Sequence, residues 1–272
     1  MRRLRRVSLV LVSFAAVSVA RRARAIDPFE IQVYDGTAND PGEAGIEVHL
    51  NRVADGIRVG APPERPTHHV THMTFEPSFG VTRTWELGGY FQTALRADGT
   101  LDYAGVKLRS KHVMPPDWHP HVRLGVNFEL SLLPETYERD RWAVEVRPIV
   151  AWESQRWLFA LNPIVGQPLA GDGAREGPTF EPAGKIAHKI DKQVAFGFEY
   201  FADFGPIASP LASREQRHYL YEVIDLLAID RFELNAGVGE GLTQGSNGVV
   251  FKIIVGYGWD LTPQRQPLPF RH

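Results

Sequence analysis

The chain has no cysteine, which excludes disulfide staples and thiolate chemistry. Beyond the amino terminus no run reaches the roughly 18 consecutive apolar residues that a membrane helix needs. A surplus of positive charge is also missing. Residues 1–25 hold seven of the 30 Lys and Arg and no acid, so the remainder carries 30 − 7 = 23 basic against 32 acidic groups, a net of −9. That balance argues against nucleic acid as a partner. There is no His-x-Ser pair and no recognised metal-ligand spacing. His68, His69 and His72, and Asp117, His119 and His121, form two loop clusters read as solvated side chains. No catalytic residue, metal or cofactor is therefore assigned, and the chain is not read as an enzyme.

What is present begins with a targeting pattern. Arg2, Arg3, Arg5 and Arg6 precede an apolar run from Val7 to Ala20, and Ala23-Arg24-Ala25 supplies a small-x-small cleavage pattern. Cleavage after Ala25 or after Ala20 fits, and either marks the protein for export. Residues 26–44 are rich in Asp, Gly, Asn and Pro and read as an arm on the periplasmic side, free to enter the barrel mouth.

From Gly45 onward the dominant signal is period-two alternation, which puts successive side chains on opposite faces of a strand. The last strand, Gly248–Leu261, shows it best. Val249, Phe251, Ile253, Val255, Tyr257 and Trp259 form one face, and Lys252, Gly256, Gly258 and Asp260 belong to the other. The apolar face gathers its Tyr and Trp near one end, where a ring can sit at lipid head-group level. Val122–Leu132 and Trp142–Trp152 repeat the design, and twelve segments can be laid out in this way over residues 45–261. The tenth, His218–Ile229, alternates poorly, because Glu222 and Asp225 cannot both face the polar side. Residues 262–272 form a proline-bearing tail.

The fold expected is an antiparallel transmembrane β-barrel of about 12 strands with a polar lumen. A soluble barrel or sandwich needs the same alternation. Three features decide against it. The segments, at roughly ten to twelve residues, match a tilted membrane crossing better than a soluble strand of about five or six. Aromatics sit at the ends of the apolar face, and glycines are sown among the charges of the polar face. Short and long connections also alternate, as on the periplasmic and outer sides of such barrels.

On this reading Phe128, Val144, Phe196, Phe198, Phe251, Ile253 and Val255 face lipid. The lumen is lined by Glu86, Lys107, Arg109, Arg123, Glu129, Glu145, Arg147, Glu181, Lys185, Glu199, Asp203, Glu233 and Lys252, with Glu47, Glu76, Lys111 and Lys189 among the inward charges. Arg109 and Arg123 are expected to interlock with Glu129, Glu145 and Arg147 across the ladder. The two signs nearly cancel and a small barrel has little spare bore, which favours a stiffening lattice over a charge-selective filter.

The runs at Val33–Thr37, Gly45–Asn51, Val146–Ile149, Phe196–Tyr200 and Gly237–Thr243 carry a resemblance. The chain resembles the proteobacterial outer-membrane β-barrel proteins of the transporter type. The resemblance implies an outer-membrane location in a Gram-negative bacterium, with lipid and the barrel-assembly machinery as partners. It assigns no solute. The function expected is a narrow channel or passive transporter for small polar or ionic solutes. A closed structural barrel is the alternative, ahead of an outer-membrane lipid-modifying enzyme or a soluble periplasmic barrel.

Overall fold

The computed structural model describes residues 27–60, 63–137, 141–229 and 231–261. The targeting segment and the tail lie outside the described residues. The alternating segments become β1 (Glu43–Asp55), β2 (Thr71–Thr82), β3 (Trp85–Leu95), β4 (Leu101–Val113), β5 (Val122–Leu132) and β6 (Trp142–Glu153). They continue as β7 (Trp157–Asn162), β8 (Val165–Pro168), β9 (Thr179–Phe180), β10 (Ala183–Lys189), β11 (Val194–Asp203), β12 (Arg217–Ile229), β13 (Phe232–Gly241) and β14 (Val249–Asp260). A single turn of helix, α1 (Gly173–Glu176), sits in the connection between β8 and β9.

Every pairing is antiparallel, and β1 pairs with β2 on one side and β14 on the other, from Glu43↔Asp260 upward. The wall is therefore closed and has no free edge. Fourteen strands occupy twelve places in it. β7 and β8 both pair with β6, at its two ends, and together make the seventh wall strand. β10 pairs with β7 and β9 with β8, making the eighth. The seventh wall strand is interrupted at Pro163 and the eighth at Pro182, because proline has no N–H to give the ladder.

The faces are sharply divided. Phe128 is 44 % exposed and its neighbour Glu129 only 3 %. Phe196, Phe198, Phe251 and Ile253 are exposed on the outside, while Val144 and Val255 are half-buried on the same outer face. Trp85, Trp152, Trp157, Tyr257 and Trp259 gather where β2–β3, β6–β7 and β12–β13 turn tightly, here the turn end. Trp142, Tyr103 and Tyr200 lie toward the opposite loop end. On β4 a bulge at Ala104–Gly105 shifts the register against β3, so Tyr103 and Val106 share the outer face although three residues apart.

The poorly alternating tenth segment is resolved. Tyr219, Tyr221, Val223 and Asp225 point inward and are buried, so Glu222 points out, level with Phe198 and Val238.

Candidate functional site

The interior is organised by residues 27–42, not by the wall alone. The arm was expected on the periplasmic side with a place at the mouth. It instead runs through the barrel from the loop end to the turn end before entering β1. Phe29, Ile31, Val33 and Tyr34 are buried, and removing that apolar surface from water is what holds them inside. Phe29 stacks edge-on against His72 and Tyr137, with centroids 4.8 and 5.6 Å away. Tyr137 donates from its hydroxyl to Asp102 at 2.7 Å, and Arg65 pairs with the same carboxylate, so the loop end is capped.

An extended segment without a strand partner must still satisfy its backbone groups. Wall side chains do so here. Asn51 Nδ2 donates to the carbonyl of Pro28, Thr74 Oγ1 to that of Phe29 and Lys252 Nζ to that of Ile31, each at 2.9 Å. Asn162 Oδ1 accepts from the Tyr34 N–H at 2.7 Å while its Nδ2 donates to the Tyr34 carbonyl at 3.0 Å. Arg123 Nε donates to the carbonyl of Asp35 at 2.8 Å, and Glu86 Oε2 accepts from the Asn39 N–H at 2.6 Å. Gly36 lies so close to the wall that a Cβ would fall 2.9 Å from that of Arg123, and its φ of +84° suits glycine.

The residues read as lumen-lining fall into three groups. Against the β3–β6 wall, Lys107 contacts Asp27, Glu30 and Glu129 at 2.5, 3.5 and 3.0 Å. Arg147 contacts Glu30 at 2.9 Å and Glu145 at 2.8 Å, while Arg109 reaches Glu76 at 3.0 Å and Glu86 at 2.8 Å. The guanidinium of Arg109 occupies space that a side chain at Gly88 would take, since a Cβ there would sit 2.7 Å from its Nε. Glycine among inward charges thus makes room for long ones. The second group is Lys185, Glu199 and Lys252, with Lys185 at 3.0 Å from Glu199 and 2.8 Å from Asp225, and Lys252 paired to Glu199. The third is peripheral. Asp203 accepts from the Gly205 N–H at 2.7 Å, and Glu181 accepts from Thr179 Oγ1 at 2.7 Å in the break between β9 and β10. Glu233 stands at the turn-end mouth.

Two expected pairings are corrected, and the first is that Arg109 meets Glu76 and Glu86 rather than Glu129 or Glu145. Arg123 does not meet Glu145 or Glu129. It binds Asp35 of the arm at 2.8 Å and pairs with Glu153, because it sits at the turn end of β5 while Glu129 and Glu145 are further along the strands.

Beside the second group, the opposite half of the interior also holds an apolar layer. Ile31 and Val33 of the arm pack with Val53, Ala160, Phe201, Tyr219, Tyr221, Val223 and Val250. That layer and the ion-pair lattice flank the arm on its two sides. Between them and the turn end remains a cavity of about 450 Å³, lined by Asp35, Glu47, Arg123, Lys189, Lys192 and Glu233 among others.

Of the loop histidines, His68 and His69 stack on each other at 3.8 Å, and His119 Nδ1 accepts from the backbone N–H of His121 and Val122. Neither cluster converges, and His72 is not a solvated loop residue but lies on β2, buried against Phe29. A group the sequence analysis did not single out does converge: Glu47, His49 and Glu76, on adjacent strands. Glu47 and Glu76 are among the inward charges of the alternation, but the register Glu47↔Glu76 that joins them is not written in the sequence.

No family model matches the chain, and no curated protein matches it. Among solved structures, the chain is similar to an outer membrane channel from Pseudomonas putida F1, with a TM-score of 0.55 at 11% identity over 85% of this chain and 100% of that one. It is also similar to KdgM porin (TM-score 0.51, 10% identity, 78% of this chain and 98% of that). NanC porin gives a TM-score of 0.51 at 7% identity, over 79% of this chain and 98% of that. At such identity the likeness is one of fold: a closed, twelve-strand antiparallel barrel.

Proposed function

We propose that the protein is an outer-membrane channel of narrow bore whose resting state is plugged by its own N-terminal arm. The turn end faces the periplasm and the capped loop end faces outward, with lipid around the wall and the barrel-assembly machinery as the route of insertion. The observation that carries this is the charged cavity of about 450 Å³, open at the turn end and stopped by residues 27–42. Twelve strands enclose more than the side-chain-filled eight-strand case and less than a sixteen-strand porin. Small polar or ionic solutes suit the bore, and side chains of both signs give weak charge preference.

A closed, structural barrel is the second reading. It is favoured by the number of arm carbonyls and N–H groups that wall side chains hold. Single-channel recording in planar bilayers separates the two. The intact protein should be nearly silent, and deletion of residues 28–40 should give steady conductance with small ions. Silence from both proteins, each shown folded by heat-modifiable gel mobility, would leave the structural reading.

A further inference from the structure

We infer that Glu47, His49 and Glu76 form a binding site for a divalent transition-metal ion of the zinc class, and that Gln32 of the arm completes it. Glu47 and Glu76 face each other directly across the β1–β2 ladder, and His49 lies two residues further along β1 on the same inner face. Like charges directly opposed on neighbouring strands are unfavourable unless a cation lies between them.

Two cations of the wall are already engaged. Arg109 holds the other oxygen of Glu76, Oε1, at 3.0 Å and Glu86 at 2.8 Å, and Lys111 holds Glu86 at 2.9 Å. The atoms left to face one another are His49 Nε2, Glu47 Oε2 and Glu76 Oε2. Their separations from Nε2 are 3.4 Å to Glu47 and 3.2 Å to Glu76, and all three ligand atoms lie within 4.8 Å of one another.

Those separations bear on what occupies the site. An imidazolium bridging two carboxylates would make charge-assisted bonds of about 2.7–2.9 Å. Ligands about 2.0–2.1 Å from a tetrahedral zinc ion stand about 3.3–3.4 Å apart. The two separations from His49 Nε2 fit that second spacing. His49 is fully buried, its Nδ1 has no hydrogen-bond partner, and its Nε2 faces both carboxylates without a well-aligned hydrogen bond to either. Imidazole nitrogen with carboxylate oxygen selects zinc-class ions over calcium or magnesium, which prefer oxygen alone.

The arm supplies the remaining corner. Gln32 Nε2 lies 2.9 Å from Glu47 Oε2, while its Oε1 is buried without a partner. The two amide orientations are interchangeable at no cost in shape, and the flipped one turns oxygen toward the site. Metal binding then ties the arm to the wall. Ions reach the site through the turn-end cavity, which Gln32, Glu47 and Glu76 all line.

The test is direct metal binding to the full-length folded protein after chelator treatment, and it needs no ion current, so it stands or falls apart from the channel reading. Co²⁺ should bind at one equivalent per barrel with the visible absorption of a tetrahedral site, and Zn²⁺ should displace it. His49→Ala and Glu76→Gln should each weaken binding at least tenfold, Gln32→Leu should weaken it less, and His121→Ala should leave it unchanged. Zn²⁺ should also slow proteolysis of the arm in the wild type but not in Glu76→Gln. Absence of stoichiometric Co²⁺ and Zn²⁺ binding by the wild type, or equal affinity in Glu76→Gln, would overturn the site. Either result decides the question even if His49→Ala fails to fold.

Discussion

Asn162 grips Tyr34 from both sides of its backbone, accepting from the N–H at 2.7 Å and donating to the carbonyl at 3.0 Å. One wall side chain thereby does for the arm what a neighbouring strand would do. Asn162→Leu removes both bonds while preserving bulk. Each backbone group left buried and unpaired costs about 1–3 kcal/mol, so the arm should detach more often while the wall persists. Limited proteolysis should cut the variant within residues 28–40 faster than the wild type, with unchanged heat-modifiable mobility. Equal cutting rates would show that the clasp does not hold the arm.

The outer face sets the second prediction. Val255→Arg and Phe128→Arg each put a cation on the lipid-facing side, which costs about 2–4 kcal/mol near the bilayer midplane. Both should reduce the folded fraction in membranes, read as loss of the compact gel form. Normal assembly of both variants would mean that this face is not the one in lipid.

Glu222 tests the same face in the opposite direction. It points outward, level with Phe198 and Val238, and a carboxylate there gains nothing from hydrocarbon. Glu222→Leu should fold at least as well as the wild type and resist urea to a higher concentration. A clear loss of assembly would assign Glu222 a partner on the outer wall.

Arg123 links the arm to the wall through Asp35 and Glu153. Arg123→Ala should loosen the arm at the turn end, adding brief openings in bilayer recordings, and Asp35→Asn should have little further effect in that background. Glu145→Ala should not change the openings at the turn-end mouth, because Glu145 is bound to Arg147 deeper in the lattice at 2.8 Å. Additive effects of Arg123→Ala and Asp35→Asn would argue that the two act separately.

Most of the wall was legible because alternation is imposed twice, by the pleat and by two different solvents. Val122–Leu132 matches β5 residue for residue, and β14 differs from its expected bounds by one residue at each end. The arm was harder to read because its Asp, Gly, Asn and Pro content is also that of a surface loop. Its signature lay elsewhere. Leu158 and Ala160 make the inner face of β7 apolar, and Tyr219, Tyr221 and Val223 do the same on β12. A lumen wall with apolar residues needs something apolar to touch, and Ile31 and Val33 supply it. The same absence of a register in the sequence hid the convergence of Glu47, His49 and Glu76 and suggested the wrong partner for Arg123. Which inward charges meet depends on strand stagger, and stagger is not a property of any one strand.

The route of the arm has a consequence for how the protein is made. Residues 27–42 lead straight into β1, and β1 is closed by β14, the last strand to be synthesised. Lys252 on β14 donates to the carbonyl of Ile31, 221 residues away. The final strand therefore docks on the beginning of the chain twice, through the ladder and through the arm. Contacts so distant in sequence form slowly, since the entropy of closing the loop must be met before they contribute. The barrel is sewn shut around residues 27–42. The seam and the arm are therefore coupled in the folded state, and a chain lacking the arm should close by a different kinetic course.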